Sequence, residues 1–176
     1  MQKNISLALT ILMGILGNAA ISCSNGQDRN SNVNLKAMND SIVEQLEYYR
    51  AVEQKEDTNK SLVTNMYQEL FGDKNVEAAD KYIVENYIQH NPSVADGRAA
   101  LKEALKIWFK NAPKEKIDIQ HIAADGDLVF IHTRSKMGSK IFSVIDIFRI
   151  EGDKVAEHWD VIQEVPAKAA NDHPMF

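Results

Sequence analysis

The chain has 176 residues, 44% of them hydrophobic, and carries a formal net charge of -5. This length has room for one domain and a leader, and the hydrophobic share is that of an ordinary globular protein. The acidic balance, without any basic cluster, argues against a nucleic-acid partner, and no self-similar period indicates a repeat array.

The N-terminus has the pattern of an export signal. Lys3 is followed by a nearly continuous apolar run over residues 5–16, too short to span a bilayer as a stable helix, and then by small residues before Cys23, the only cysteine. The pattern resembles a bacterial lipoprotein signal. We therefore expect residues 1–22 to be removed and a lipid on Cys23 to anchor the protein to a membrane of the cell envelope, on the periplasmic or surface side. The alternative is an incidental cysteine beside an ordinary signal.

Residues 23–56 are expected to form a tether and a leading helix. The segment after Cys23 is rich in Ser, Asn and Asp, a composition typical of a flexible linker. Residues 35–53 then show a loose helical spacing of apolar side chains.

A domain is predicted over residues 57–165, and its first elements are helical. Apolar residues that begin at Leu62 recur on one helical stripe and predict a helix over residues 57–71. Gly72 is a suitable stop for this helix. A shorter helix is predicted over residues 76–83.

A third helix is predicted after a short extended piece that ends at Asn91, because the residue before a proline avoids the helical region. Asp96 is the predicted N-cap. Apolar residues at helical spacing, Trp108 among them, form one face, and Pro113 ends the helix.

The apolar period then changes from 3.6 to 2, which predicts four strands joined by tight turns. Asp125-Gly126, a three-residue loop over 136–138 and Gly152-Asp153 are the predicted turns. Helices first and an antiparallel meander last predict an α+β fold, with the helices on one face of a curved sheet. Residues 166–176 form a tail.

Asp146 is the most informative residue, because it lies alone within an apolar strand. A buried, unpaired carboxylate is costly, so this side chain either turns outward or faces a pocket that makes use of it. If Gly152-Asp153 is a two-residue turn, Asp146 opposes Trp159, and His158 and Asp160 point to the other face. One extra residue would reverse these faces.

The loop at 136–138 would place His132 on the face of Asp146, and the first turn would add His121. This face then collects a few polar groups among apolar ones such as Phe130, which is the usual make-up of a small-molecule pocket.

Several segments together resemble the SnoaL-like polyketide cyclases of the NTF2-like superfamily, over roughly residues 57–163. They are the helix over residues 59–71, Tyr87-Ile88-Gln89-His90-Asn91-Pro92, the Asp96-Gly97 helix start, and Asp146-Ile147-Phe148-Arg149 with Glu157-His158-Trp159-Asp160. The resemblance implies a cone-shaped α+β barrel with a deep pocket, often paired as a homodimer through the outer sheet face.

In the cyclases, an Asp in the position of Asp146 acts as acid and base in an intramolecular aldol condensation, and a His matching His132 assists it. These two residues are our catalytic candidates. The substrate-binding candidates are His90, Asn91, Trp108, Phe130, Trp159 and His121. Structural alternatives stand beside them: an Asp146 held by Arg149 or by the Trp159 ring N–H, and a His132 that is simply hydrogen-bonded.

No metal and no cofactor is expected, because the chain has no recognised zinc spacing, phosphate loop or nucleophile motif. The sequence thus predicts cofactor-free acid–base catalysis, of the aldol cyclisation or isomerisation type, on a small hydrophobic carbonyl compound. The alternative is a lipid-anchored binding module without turnover, for a hydrophobic ligand or a protein partner. The leader favours this alternative, because polyketide cyclases are normally cytoplasmic.

Overall fold

A computed structural model describes residues 28–176, with side chains from residue 34 onward. The predicted leader and Cys23 lie outside the described residues. Within the described part, no helix is both long and apolar enough to cross a membrane.

The first helix, α1 (Asp28–Tyr67), is continuous where the sequence predicted two helices. Its segment contains neither glycine nor proline, so no residue favours a break at the predicted boundary. The chain forms two compact units, and the second begins at Glu47. The described side chains before that point are exposed, whereas Val63 and Met66 are buried.

A single π-helical turn, Gln68–Gly72, ends the α1 segment at the predicted glycine. A Cβ on Gly72 would lie 2.8 Å from the carbonyl oxygen of Glu115. Only a residue without a side chain fits this close approach. Two short elements follow, α2 (Ala78–Tyr82) and β1 (Ile83–Gln89).

Helix α3 (Arg98–Trp108) has Gly97 as its N-cap, with φ of 95°. The prediction that Asp96 caps this helix was wrong. The Oδ1 atom of Asp96 instead accepts a hydrogen bond from the backbone N–H of Gln89, at 2.8 Å. The Gly97 N–H donates to the Tyr87 carbonyl at 2.7 Å, so both residues fasten the start of α3 to β1.

The sheet has five strands in the order β1-β5-β4-β3-β2. Four form the predicted antiparallel meander: β2 (Ile119–Asp125), β3 (Leu128–Met137), β4 (Lys140–Glu151) and β5 (Lys154–Glu164). Strand β1 lies at the edge, parallel to β5. The predicted α+β class, with helices packed on a curved sheet, is confirmed.

The core lies between the helices and one face of the sheet, which we call the inner face. Helical side chains such as Val63, Leu70 and Leu105 pack there against Ile131 and Phe148, and all five are at most 4% exposed. The opposite, outer face carries residues with solvent contact, among them Phe130, Ile145 and Val161.

Two predicted strand registers were wrong, and both errors decide which residues meet Asp146. Met137 pairs with Lys140, so the β3–β4 hairpin turns at Gly138-Ser139 and not over 136–138. The Gly152-Asp153 turn is as predicted, with Glu151 opposite Lys154, but the register shifts by one residue at Ala156. This is a β-bulge, in which two residues of one strand oppose one of its partner.

Candidate active site

Asp146 lies in the middle of β4 on the inner face and is 5% exposed. Its partner across the β4–β5 ladder is Asp160, where the sequence predicted Trp159. Its partner on β3 is Ile131. The bulge at Ala156 therefore brings the β5 residues His158 and Asp160 to the face that Asp146 occupies.

Both carboxylate oxygens of Asp146 have a side-chain partner. The hydroxyl of Tyr67, near the end of α1, donates to Oδ2 at 2.7 Å. The Nε2 atom of His158 lies 2.8 Å from Oδ1. His158 is 7% exposed, and its ring stacks on Phe148 with centroids 4.8 Å apart. Helix and sheet thus hold Asp146 from two directions.

Gln89, at the end of β1, determines which nitrogen of His158 carries a proton. Its Oε1 atom accepts the backbone N–H of Asn91 at 2.9 Å, and its Nε2 atom lies 3.2 Å from the Tyr87 hydroxyl. A backbone N–H is always a donor, so this end of the amide is the oxygen. The Nδ1 atom of His158 lies 2.9 Å from the same oxygen and must therefore carry a proton.

A consequence follows for the contact between His158 and Asp146. With a proton on Nδ1, a neutral imidazole has only a lone pair on Nε2. The 2.8 Å contact to Oδ1 then needs one further proton, either on Nε2 beside a carboxylate or on the carboxyl group beside a neutral ring. The two side chains share one transferable proton.

Asp160 and Asn91 border this pair where the inner face becomes partly accessible. The Asn91 Nδ2 donates to Oδ2 of Asp160 at 2.6 Å, and both residues are half-buried. A carboxylate and an amide therefore stand between the buried pair and solvent.

Two buried tyrosines complete the polar group. Burial, followed by the nearby Asp146 charge, raises the pKa of Tyr67 well above its ordinary value. The same two causes, with Asp160 in addition, raise the pKa of Tyr87. Both phenols stay protonated over the physiological range; the Tyr67 hydroxyl donates to Asp146, whereas the Tyr87 oxygen accepts from Nε2 of Gln89.

The structure does not bring the predicted catalytic pair together. His132 lies opposite Ile145 on the outer face and does not share the face of Asp146. His121 lies beside His132, as its partner across β2 and β3, and so both are on the outer face and not on the predicted face of Asp146. Their Nδ1 atoms are 3.2 Å apart.

The predicted substrate-binding residues are distributed over three places. Asn91 lies at the border of the Asp146 group. His90 stacks on Trp159 with ring centroids 4.6 Å apart, and its Nε2 lies 2.9 Å from Oε1 of Glu157. Phe130 is on the outer face at 36% exposure, and Trp108, at the end of α3, is 51% exposed.

The sequence reading missed five residues of the polar group: Tyr67, Tyr87, Gln89, His158 and Asp160. Tyr67 belongs to the apolar stripe of α1, where an aromatic residue reads as core. His158 and Asp160 were assigned to the other face, since no glycine marks the bulge at Ala156. The triplet Gln89-His90-Asn91 was visible as a polar cluster before a proline, which is the one signal that could have indicated Gln89.

Asp146, His158 and Asp160 each place one possible ligand atom within 4.8 Å of the others, close enough together for a cation. Carboxylate and imidazole suit several divalent ions. In the described part of the chain, however, every buried side-chain nitrogen and oxygen has a hydrogen-bond partner. Among the described residues, the group therefore gives no sign of an unfilled metal position. That the site binds no metal stays a prediction.

Open clefts occur elsewhere on the described surface. Two of them follow α1 and are lined by residues such as Asp57 and Ser61, not by any member of the Asp146 group. The half-buried members of the Asp146 group are Gln89, Asn91 and Asp160, so the group meets solvent on their side.

The fold and the site define a class: an α+β domain whose curved sheet holds buried, hydrogen-bonded acid and imidazole groups against its helices. The family model for the SnoaL-like polyketide cyclases matches residues 61–171. The chain therefore belongs to the SnoaL-like polyketide cyclase family. None of the curated protein sequences compared with the chain matches it.

Solved structures share the fold at low sequence identity. A candidate polyketide cyclase from Acidithiobacillus ferrooxidans is 24% identical, with a TM-score of 0.52 over 60% of this chain and 87% of that one. A candidate ketosteroid isomerase from Kribbella flavida is 13% identical, with a TM-score of 0.53 over 66% and 85%. An LEH-like epoxide hydrolase from M. tuberculosis is 14% identical, with a TM-score of 0.51 over 62% and 85%. These likenesses show the NTF2-like fold alone.

Proposed function

We propose that the protein is a cofactor-independent acid–base catalyst that moves a proton at the carbon next to a carbonyl group. The observation that carries this proposal is the pair of contacts at His158: Nδ1 donates to Oε1 of Gln89, and Nε2 lies 2.8 Å from Oδ1 of Asp146, which leaves one transferable proton between ring and acid. A buried acid in contact with an imidazole that can carry only one more proton is suited to taking up and returning a proton. His158 takes the assisting role that the sequence analysis gave to His132.

The reaction starts with the shared proton on Nε2 of His158, so that Asp146 is a carboxylate that can accept a further proton. The C–H bond next to the substrate carbonyl breaks, its proton passes to the Asp146–His158 pair, and its electron pair moves onto the carbonyl oxygen as an enolate. The Tyr67 hydroxyl, which donates to Asp146, would turn to donate to that oxygen instead. The enolate then either attacks a second carbonyl within the same molecule, whose oxygen takes the proton back from the pair as the carbon–carbon bond forms, or takes the proton back itself at another carbon. Both routes balance without cofactor or oxidant.

The side chains around the polar group support a substrate class. Ile131, Val144 and Phe148 lie beside it on the inner face, all at most 4% exposed, so a substrate that displaced part of this packing would meet apolar side chains next to the acid. Apolar walls with a few polar groups favour a small, largely apolar compound. Names among the structural relatives, a cyclase and an isomerase, are compatible with the two routes.

Proton exchange in deuterium oxide tests the proposal. The mature protein would be incubated with cyclohexanone and with a cyclic 1,3-diketone, and loss of the protons next to the carbonyl followed by NMR. We expect exchange above the buffer rate, reduced about 100-fold or more in Asp146→Asn and in His158→Gln. Asp118→Asn, which removes an exposed carboxylate, is the matched control and should exchange at the wild-type rate. Equal rates in wild type and Asp146→Asn would refute the assignment.

A non-catalytic binding module is the second candidate, favoured by the lipoprotein-type leader. Native mass spectrometry after incubation with cell extract distinguishes the two. A compound that stays bound unchanged in both wild type and Asp146→Asn indicates a carrier, whereas a compound that only the wild type converts indicates an enzyme.

A further inference from the structure

Two histidines meet on the outer face of the sheet, away from the Asp146 group. His121 on β2 and His132 on β3 are direct partners across the ladder. Their Nδ1 atoms lie 3.2 Å apart, and their rings are close to parallel, with an interplanar angle of 11°. The proposed reaction uses neither residue.

The separation of the two nitrogens suits a shared metal ion. Histidine nitrogen binds Zn²⁺ at about 2.0–2.1 Å, so two such ligands of a tetrahedral ion lie about 3.3 Å apart. The observed 3.2 Å, a hydrogen bond between the two nitrogens in this structure, is close to that separation. Imidazole is a preferred ligand of Zn²⁺, Cu²⁺ and Ni²⁺.

Ser143 on β4 adds a second element of such a site. Its Oγ lies 2.8 Å from Nε2 of His132, and the residue is only 9% exposed. A serine hydroxyl can turn to accept, so Ser143 can keep a proton on Nε2 and leave the Nδ1 lone pair free. Metal-binding histidines almost always donate their other ring N–H to a carboxylate, a carbonyl or water, and the Ser143 oxygen takes that accepting role here.

The charges around the pair permit a cation. Arg134 is the nearest basic residue along the strand. Its Nη1 atom lies 3.8 Å from Oδ2 of Asp118, and its Cζ atom lies 5.7 Å from the centroid of the Phe176 ring. The carboxylate offsets the arginine charge. His121 itself is exposed, so an ion reaches the pair directly from solvent.

We propose that His121 and His132 form a two-histidine site for a divalent transition-metal cation, with Ser143 as the positioning residue. Two protein ligands leave further positions open to water, so this is an exchangeable site on the surface and not a closed structural one. The site is independent of the acid–base chemistry proposed for the inner face.

Titration calorimetry with ZnCl₂ on the purified, metal-free protein tests this inference. One equivalent should bind. Affinity should fall by at least tenfold in His121→Ala and in His132→Ala, and by about tenfold in Ser143→Ala. His173→Ala, which removes another exposed histidine, is the matched control and should bind as the wild type does.

A second readout identifies the ligand atoms, and circular dichroism confirms that each variant is folded. NMR of the ring nitrogens should show Zn²⁺-dependent shifts at Nδ1 of both histidines, with Nε2 of His132 remaining protonated. Unchanged affinity in folded His121→Ala, or shifts confined to Nε2 atoms, would overturn the proposal.

Discussion

At the scale of single residues, Asp146 shows how a fold makes a buried acid tolerable. A carboxylate without partners in this position would be strongly destabilising. The structure supplies a phenol to one oxygen and an imidazole to the other. Because the partners come from α1 and β5, the acid is held only when helix and sheet are docked.

Tyr67→Phe tests this arrangement through its pH dependence. The pKa of Tyr67 is raised in the folded protein, so its contribution to stability is complete below the unfolded pKa, about 10, and is lost as pH rises through the folded pKa. In urea unfolding at neutral pH, the free energy of unfolding of Tyr67→Phe should be about 2 kcal/mol below that of the wild type, because a hydrogen bond to an acid is removed. Above pH ~10 the wild type should lose more of its free energy of unfolding than Tyr67→Phe does. The exposed Tyr48→Phe is the matched control. Parallel pH curves for wild type and Tyr67→Phe would contradict the account.

The sequence identified Asp146 but not its partners, for a physical reason. A single acid in an apolar strand is visible in the residue order alone. Its neighbours depend on strand register, and one bulged residue at Ala156 exchanges the two faces of β5. Neither residue beside the bulge, Val155 or Glu157, is a turn former, so nothing in the local sequence marks it.

At the scale of elements, the spacing of apolar residues predicted which segments are helices and which are strands. It predicted the positions of the turns less reliably. The Gly152-Asp153 turn was correct because strands on both sides fix it. The predicted loop at 136–138 was wrong because a left-handed glycine suits a two-residue turn as well as a three-residue one. Gly138 has a φ of 65° in the two-residue turn that forms. The predicted break between two helices near residue 57 was wrong. Along α1 the side chains change from exposed to buried through tertiary contacts, and no helix-breaking residue marks this change.

Asn59 fastens α1 to the sheet and gives an element-scale prediction. Its Nδ2 donates to the Gly126 carbonyl in the β2–β3 turn at 3.0 Å, and the residue is 4% exposed. Asn59→Ala leaves that carbonyl without its partner and should lower the free energy of unfolding by about 1–3 kcal/mol.

Urea denaturation measures this difference, with Asn65→Ala as the matched control. Asn65 lies on the same helix with an exposed side chain, so its replacement should change stability by about 0.5 kcal/mol or less. Equal effects of the two substitutions would mean that the Asn59 contact does not secure the turn.

At the scale of the whole molecule, we propose that the domain is held at a membrane of the cell envelope through a lipid on Cys23. In a cell that processes lipoproteins, the wild type should fractionate with membranes. Cys23→Ser should leave the protein unlipidated and shift it to the soluble fraction, while Ser24→Ala should behave as the wild type. Membrane association that persists in Cys23→Ser would reject the lipid anchor.

A homodimer through the outer face is the companion proposal. Ile145 and Val161 are direct partners on that face and are 44% and 68% exposed. Exposed apolar pairs in the middle of a sheet are suited to association. Because His132 lies directly opposite Ile145, this dimer would cover His132, and the two-histidine site would then be open to metal in the monomer.

The central claim is that Asp146 and His158 share one proton in a geometry fixed by Gln89, and NMR of the His158 ring nitrogens tests it most directly. At neutral pH the account predicts a protonated Nδ1 and an Nε2 resonance that changes in Asp146→Asn. In Gln89→Leu the preference for Nδ1 should be lost. An unprotonated Nδ1 in the wild type would contradict the account, because the contact with Gln89 would then require a different arrangement of the whole polar group.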